Sequence, residues 1–250
     1  GSIDIVSGRS TESNSGAVRI QSADANSKSG SGPVSLRTGT SVVGPTGKVE
    51  IVSGTALRSS ASDIMVVVGT SGSGSGGNIV LDAGVTDGQS ATGGSVHLTS
   101  GQSTTGNSGD VILSTAESAA DTMSGDIKLQ TGASDEGSSG TLTLASGNGA
   151  HQGGQVVLST GDVLDSSAGD IVLKSGSTAS ATSRGGSVNI YAGQGQIDDL
   201  HDGGNGGNIV LKAGSTASNG VSTTGGSISI EAGSAQKGAG GDVHIASGAT

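Results

Sequence analysis

The sequence predicts an all-β chain, a parallel β-solenoid of about sixteen units of 14–17 residues, and three observations predict it. The first is a phrase that recurs from end to end: a β-branched residue, any residue, Leu or Ile, any residue, a small residue, then usually Gly. It reads Ile3-Asp4-Ile5-Val6-Ser7-Gly8 at the start and Val243-His244-Ile245-Ala246-Ser247-Gly248 at the end. The second is the spacing of two between the aliphatics, which places them on one face of a strand. The third is what separates the copies: stretches such as Gln102-Ser103-Thr104-Thr105-Gly106-Asn107-Ser108-Gly109, rich in turn-formers and without helical periodicity.

Taken in order, the copies start at Ile3, Val18, Val34, Val49, Ile64 and Ile79. They continue at Val96, Val111, Ile127, Leu142 and Val156, and end with Ile171, Val188, Ile209, Ile228 and Val243. β-Branched residues at this position suit a pleated surface. Two residues on stands a second aliphatic, from Ile5 and Ile20 to Ile230 and Ile245, and two further on a small residue such as Ser7, Ser22, Thr38 or Ser53. The following Gly permits a bend. Each unit therefore reads as one short strand and one polar arc. A lone unit cannot bury its aliphatic face, and a stack with Val over Val and Leu over Leu at about 4.8 Å per rung would do so.

The residue between the two aliphatics bears on how many units make a coil. In alternate copies it is Val80, Ile112, Thr143, Val172 and Val210; between them stand His97, Lys128, Val157 and Asn189. This stripe favours two units per coil, with one unit per coil and an antiparallel arrangement as alternatives. It also predicts an apolar strip, Val80, Ile112, Val172 and Val210, for a second copy or a neighbouring domain to cover.

Composition limits what else the chain can be. Its 250 residues include 49 Gly, one Tyr and no Cys, Trp or Phe. Aromatics bury the most area per side chain, so their absence argues against a thick core. The whole of 1–250 reads as one repeat domain, a fragment of a larger protein with flanking domains of its own. The formal charge is -10, from 21 acids against 11 bases scattered singly. With no basic stripe and no stacking platform, nucleic-acid binding is not expected. No apolar run reaches membrane length, so membrane insertion is not expected either. Zero Cys removes disulfides and thiolate metal sites.

The unit Gly-Gly-(Ser/Asn/Asp)-(Val/Ile)-x-(Leu/Ile)-x-(Ala/Ser)-Gly stands clearly at 76–84, 185–193 and 240–248. It resembles the Gly/Ser-rich β-solenoid repeats of surface and secreted proteins, in particular the stalks of filamentous-haemagglutinin-type adhesins and the repeats of algal extracellular coats. The resemblance covers nearly the whole chain. It implies a stalk or matrix role outside the cell or at its surface.

The residues that carry chemistry are few. The longest insertion, 194–207, gathers Asp198, Asp199, His201 and Asp202. Oxygen-rich clusters bind hard cations, calcium among them, and Asp/His mixtures bind zinc or manganese. The competing reading, a solvated loop tip, is favoured because the cluster lacks the Gly and bidentate Glu positions of a calcium loop. Asp63, Asp110, Asp126, Asp170 and Asp242 each precede a strand, where Asp also satisfies turn backbone locally. No pair among His97, His151, His201 and His244 has metal spacing, and no Ser sits in a nucleophile elbow. No catalytic residue and no cofactor site is expected. There is no Asn-x-Ser/Thr sequon, although Ser and Thr in the arcs could carry O-linked glycan.

These readings lead to a non-catalytic structural segment, a stiff spacer or adhesive scaffold of an extracellular or cell-surface protein. The alternative is a surface-binding module for ice, mineral or cations that would use a flat solenoid face. Against ice, the outward row Asp4, Arg19, Ser35, Glu50, Met65 and Val80 is mixed, and only Thr141 and Thr143 form a Thr-x-Thr.

Overall fold

The computed structural model describes residues 1–26, 29–119, 122–195, 204–217, 220 and 223–248. Among the described residues there is no helix and no β-strand. The expected all-β fold, a β-solenoid or β-helix with one or two units per coil, is therefore overturned: the aliphatic segments do not pair into ladders. The chain divides into two compact units, Gly1–Ile127 and Lys128–Thr250, with the boundary inside the ninth copy of the phrase.

In place of a ladder, a local bond closes the neck of seven of the arcs. In the first unit, the Gly16 N–H donates to the Gly8 carbonyl at 3.0 Å, Gly94 to Gly84 at 2.8 Å and Gly109 to Gly101 at 2.9 Å. In the second, Gly186 donates to Gly176, Gly207 to Gly193, Gly226 to Gly214 and Gly241 to Gly233, all at 2.8–2.9 Å. The acceptor is always the Gly that follows the small residue. The donor is always the Gly two positions before the next β-branched residue. Each of these seven arcs is thus a closed loop, held by a contact between its own two ends.

The sequence produces this neck directly. At the small position, Ser7, Ala83, Ser100, Ser175 and Ala192 are among the least exposed residues of their units. The next copy's Gly lies against them. A Cβ added at Gly94 would stand 2.9 Å from the Gly84 nitrogen and 3.3 Å from the Ala83 Cβ. Only Gly fits there without a backbone shift. The same Gly-to-small approach recurs at Thr38 with Gly47, Thr131 with Gly140 and Thr160 with Gly169, where the gap is an ordinary van der Waals one.

No hydrophobic residue is buried among the described residues, and the molecule's accessible surface is 25281 Å². A compact fold of 23.5 kDa would expose about 9,800 Å², and an unfolded chain of that mass about 34,000 Å². The structure stands closer to the open limit. The inward face expected of the two aliphatics of each copy does not form, since both stay exposed. Along 171–173 the exposures are 55, 77 and 67 % for Ile171, Val172 and Leu173, so the middle residue is the most open.

The difference has a local cause. A neck of one hydrogen bond and one small-residue contact orders few residues, whereas a stacked ladder must order every residue of each Gly-, Ser- and Thr-rich rung.

Candidate functional site

The arcs hold most of the recurring polar geometry, and they are better organised than a run of turn-formers suggests. In several, a Ser accepts a hydrogen bond from a backbone N–H three residues on. The Gly44 N–H donates to Ser41 Oγ at 3.1 Å, Gly106 to Ser103 Oγ at 2.8 Å and Gly137 to Ser134 Oγ at 3.0 Å. Ser13 donates to Ser10 Oγ at 3.0 Å in the same way. This Ser-x-x-Gly turn sets the arc tip, because the hydroxyl supplies the acceptor that a helix or ladder would otherwise supply. The sequence reading passed over it. The signal was present as the repeated three-residue step from Ser to Gly within the arcs.

A second kind of tip is the four-residue turn from Gly88 to Ala91, closed by the Ala91 N–H on the Gly88 carbonyl at 3.2 Å. Here Ser90 carries a φ of 62°, in the left-handed region. Thr122 and Thr223 combine a backbone and a hydroxyl donation to one carbonyl. Thr122 closes on Ala119, and Thr223 closes on Gly220.

Insertions are absorbed beyond the neck. The bonded glycines are 8 residues apart at Gly8 and Gly16 and 14 apart at Gly193 and Gly207, yet the closing bonds are 3.0 and 2.9 Å. The long arc has a further constriction, since a Cβ at Gly195 would fall on the Gly204 carbonyl. The four residues expected as a cation site, Asp198, Asp199, His201 and Asp202, lie outside the described residues.

Among the described residues, no three His, Cys, Asp or Glu side chains come together as a metal-binding group, so Asp63, Asp110, Asp126, Asp170 and Asp242 do not gather into one. His97, His151 and His244 are all exposed. Among the described residues, Lys48 Nζ pairs with Glu50 Oε1 at 2.8 Å. Both side chains are well solvated, so the pair contributes at most about 1 kcal/mol. Among the described residues, no cavity of ligand size is present. Among the described residues, no helix is long and apolar enough to cross a membrane.

The expected contact residues Val80, Ile112, Val172 and Val210 are all exposed, the first two in one unit and the last two in the other. The arcs also present aliphatics of their own. Val42 and Leu164 are each 99 % exposed, and Leu57 is nearly as open. Chemically, the arrangement offers backbone, hydroxyl and aliphatic groups in repetition. Comparison with family models, with curated proteins and with solved structures returns no match for this chain.

Proposed function

We propose that the chain is a non-catalytic structural repeat segment, a spacer or adhesive scaffold of an extracellular or cell-surface protein. One observation carries the reading. The same Gly–Gly neck closes arcs 8 to 14 residues long, so the unit is conserved in geometry while its displayed arc varies. A repeated frame with tolerant loops suits a part whose task is reach and display. The Gly/Ser-rich unit at 240–248 and its likeness to the repeats of surface proteins support the location. The flat face that the ice, mineral or cation alternative needs depended on a ladder, and that ladder is absent among the described residues.

Reach gives the direct test. The chain, and versions lacking four or eight units cut neck to neck, are placed between a surface anchor and a terminal reporter domain. The height of the reporter above the surface is then measured by fluorescence quenching. Height should fall in step with the units removed. A height independent of unit number would refute the spacer reading.

A further inference from the structure

We propose that one side chain per copy, at the small position two residues after the second aliphatic, decides whether the arc that follows is closed. Ser or Ala there lets the neck bond form, and a β-branched residue holds the neck open. The seven closed necks all follow Ser or Ala, from Ser7 to Ala232. Five other arcs follow a β-branched residue, at Thr38, Val68, Thr115, Thr131 and Thr160. Each of these has a Gly in the donor position, Gly47, Gly77, Gly125, Gly140 and Gly169 in turn, and none of the five makes the bond. The two groups do not overlap.

The contacts show the cause. In all five open necks, the atom nearest a Cβ added to the donor Gly is a γ-methyl of the β-branched residue. It stands at 2.8 Å for Gly77, 3.5 Å for Gly47 and 3.7 Å for Gly169. In the closed necks the donor Gly lies against the backbone of the acceptor Gly instead, as Gly94 does at 2.9 Å and Gly226 at 3.4 Å from the acceptor nitrogen. A β-branched side chain is stiff at χ1, so its methyl does not turn aside for the incoming Gly. The methyl fills the place over which the Gly must pass to reach the next carbonyl. Ser and Ala carry no methyl there.

Other features of the arcs do not sort them. Length does not, because the step from Gly101 to Gly109 is closed and the equal step from Gly39 to Gly47 is open. A second Gly before the donor does not, because Gly76 precedes Gly77 in an open neck and Ser108 precedes Gly109 in a closed one. Ser146 marks the limit of the rule. Its arc takes only seven residues from Gly147 to Gly154, fewer than any closed one, and makes no backbone bond. There the hydroxyl bridges the neck, Ser146 Oγ donating to the Gly154 carbonyl at 3.0 Å. Within the second unit the arcs after Thr131 and Thr160 are open, and those after Ser175, Ala192, Ala213 and Ala232 are closed. Closure is thus set outside the arc, and the residues an arc displays vary without changing it.

The test is amide exchange by NMR on the full chain, each amide measured against its open-chain rate. In the parent, Gly47, Gly140 and Gly169 should be about five-fold less protected than Gly109 and Gly241, whose arcs have the same length. Thr131→Ser and Thr160→Ala should slow exchange at Gly140 and Gly169 to the level of the closed necks. Ala232→Val should speed it at Gly241 by about the same factor. Thr131→Val keeps the branch and removes the hydroxyl, so Gly140 should stay as fast as in the parent. Slowed exchange at Gly140 in Thr131→Val, or no slowing in Thr131→Ser and Thr160→Ala, overturns the proposal. The rule rests on the necks alone and the spacer reading on measured reach, so the two fail separately.

Discussion

Gly94→Ala is expected to open the arc that Gly94 closes, while Gly109→Ala, at the equivalent place one unit later, is expected to tighten its own. Both glycines donate the neck bond, Gly94 to Gly84 at 2.8 Å and Gly109 to Gly101 at 2.9 Å. They differ in the room around them. A Cβ on residue 94 meets the Gly84 nitrogen at 2.9 Å, closer than real Cβ contacts, and a backbone atom cannot swing aside as a side-chain end can. A Cβ on residue 109 meets nothing nearer than 3.7 Å. At 94 the backbone must shift and the bond goes with it, a net loss of about 1 kcal/mol, or roughly five-fold in the open population. At 109 the bond stays and the open chain loses freedom, a gain of about 0.4–1 kcal/mol, or roughly two- to five-fold toward the closed form. The assay is NMR: temperature coefficients and hydrogen exchange of the amide at residue 94 or 109, parent against variant. Shifts of the same sign at both sites would refute the steric account of the neck.

Other expectations follow from the arc tips and the open segments. Ser103→Ala removes the acceptor of the 2.8 Å bond from Gly106, so exchange at the Gly106 amide should rise several-fold, about 1 kcal/mol. The converse is available at the arc where Ala235 stands three before Gly238: Ala235→Ser should install the turn and slow exchange at Gly238. Ser90→Gly relieves a left-handed φ worth about 1 kcal/mol, partly offset by the freer open chain. The Ala91 amide should become modestly better protected, and a loss of protection would contradict the turn. Leu129→Asp, which a stacked core would not survive, should be mild, because Leu129 is 58 % exposed and no buried charge is created. Its effect on hydrodynamic radius and circular dichroism should match that of Lys128→Asp. A much larger effect at Leu129 would show that this side chain is buried after all.

The repeat itself was determined by sequence alone, because it is a pattern of residue types. The inward face expected of its two aliphatics was not, since that face needs a strand and a neighbour to bury it, and both positions stay exposed, as at Ile171 and Leu173. The Gly after each small residue was readable too, as a place where the chain bends, whereas the bonding role of the Gly before the next aliphatic was not. The Ser-x-x-Gly tips at Ser41, Ser103 and Ser134 are equally local, but Ser and Gly are so frequent in every arc that the step of three does not stand out. Pairing was of a different kind. Whether Val96 lies over Val111 depends on free energy shared between distant residues, and the same pattern of aliphatics suits a stacked coil and a string of closed loops. Only the tertiary structure decided between them, because one Gly–Gly bond such as Gly109 to Gly101 orders few residues, while a ladder must order every rung.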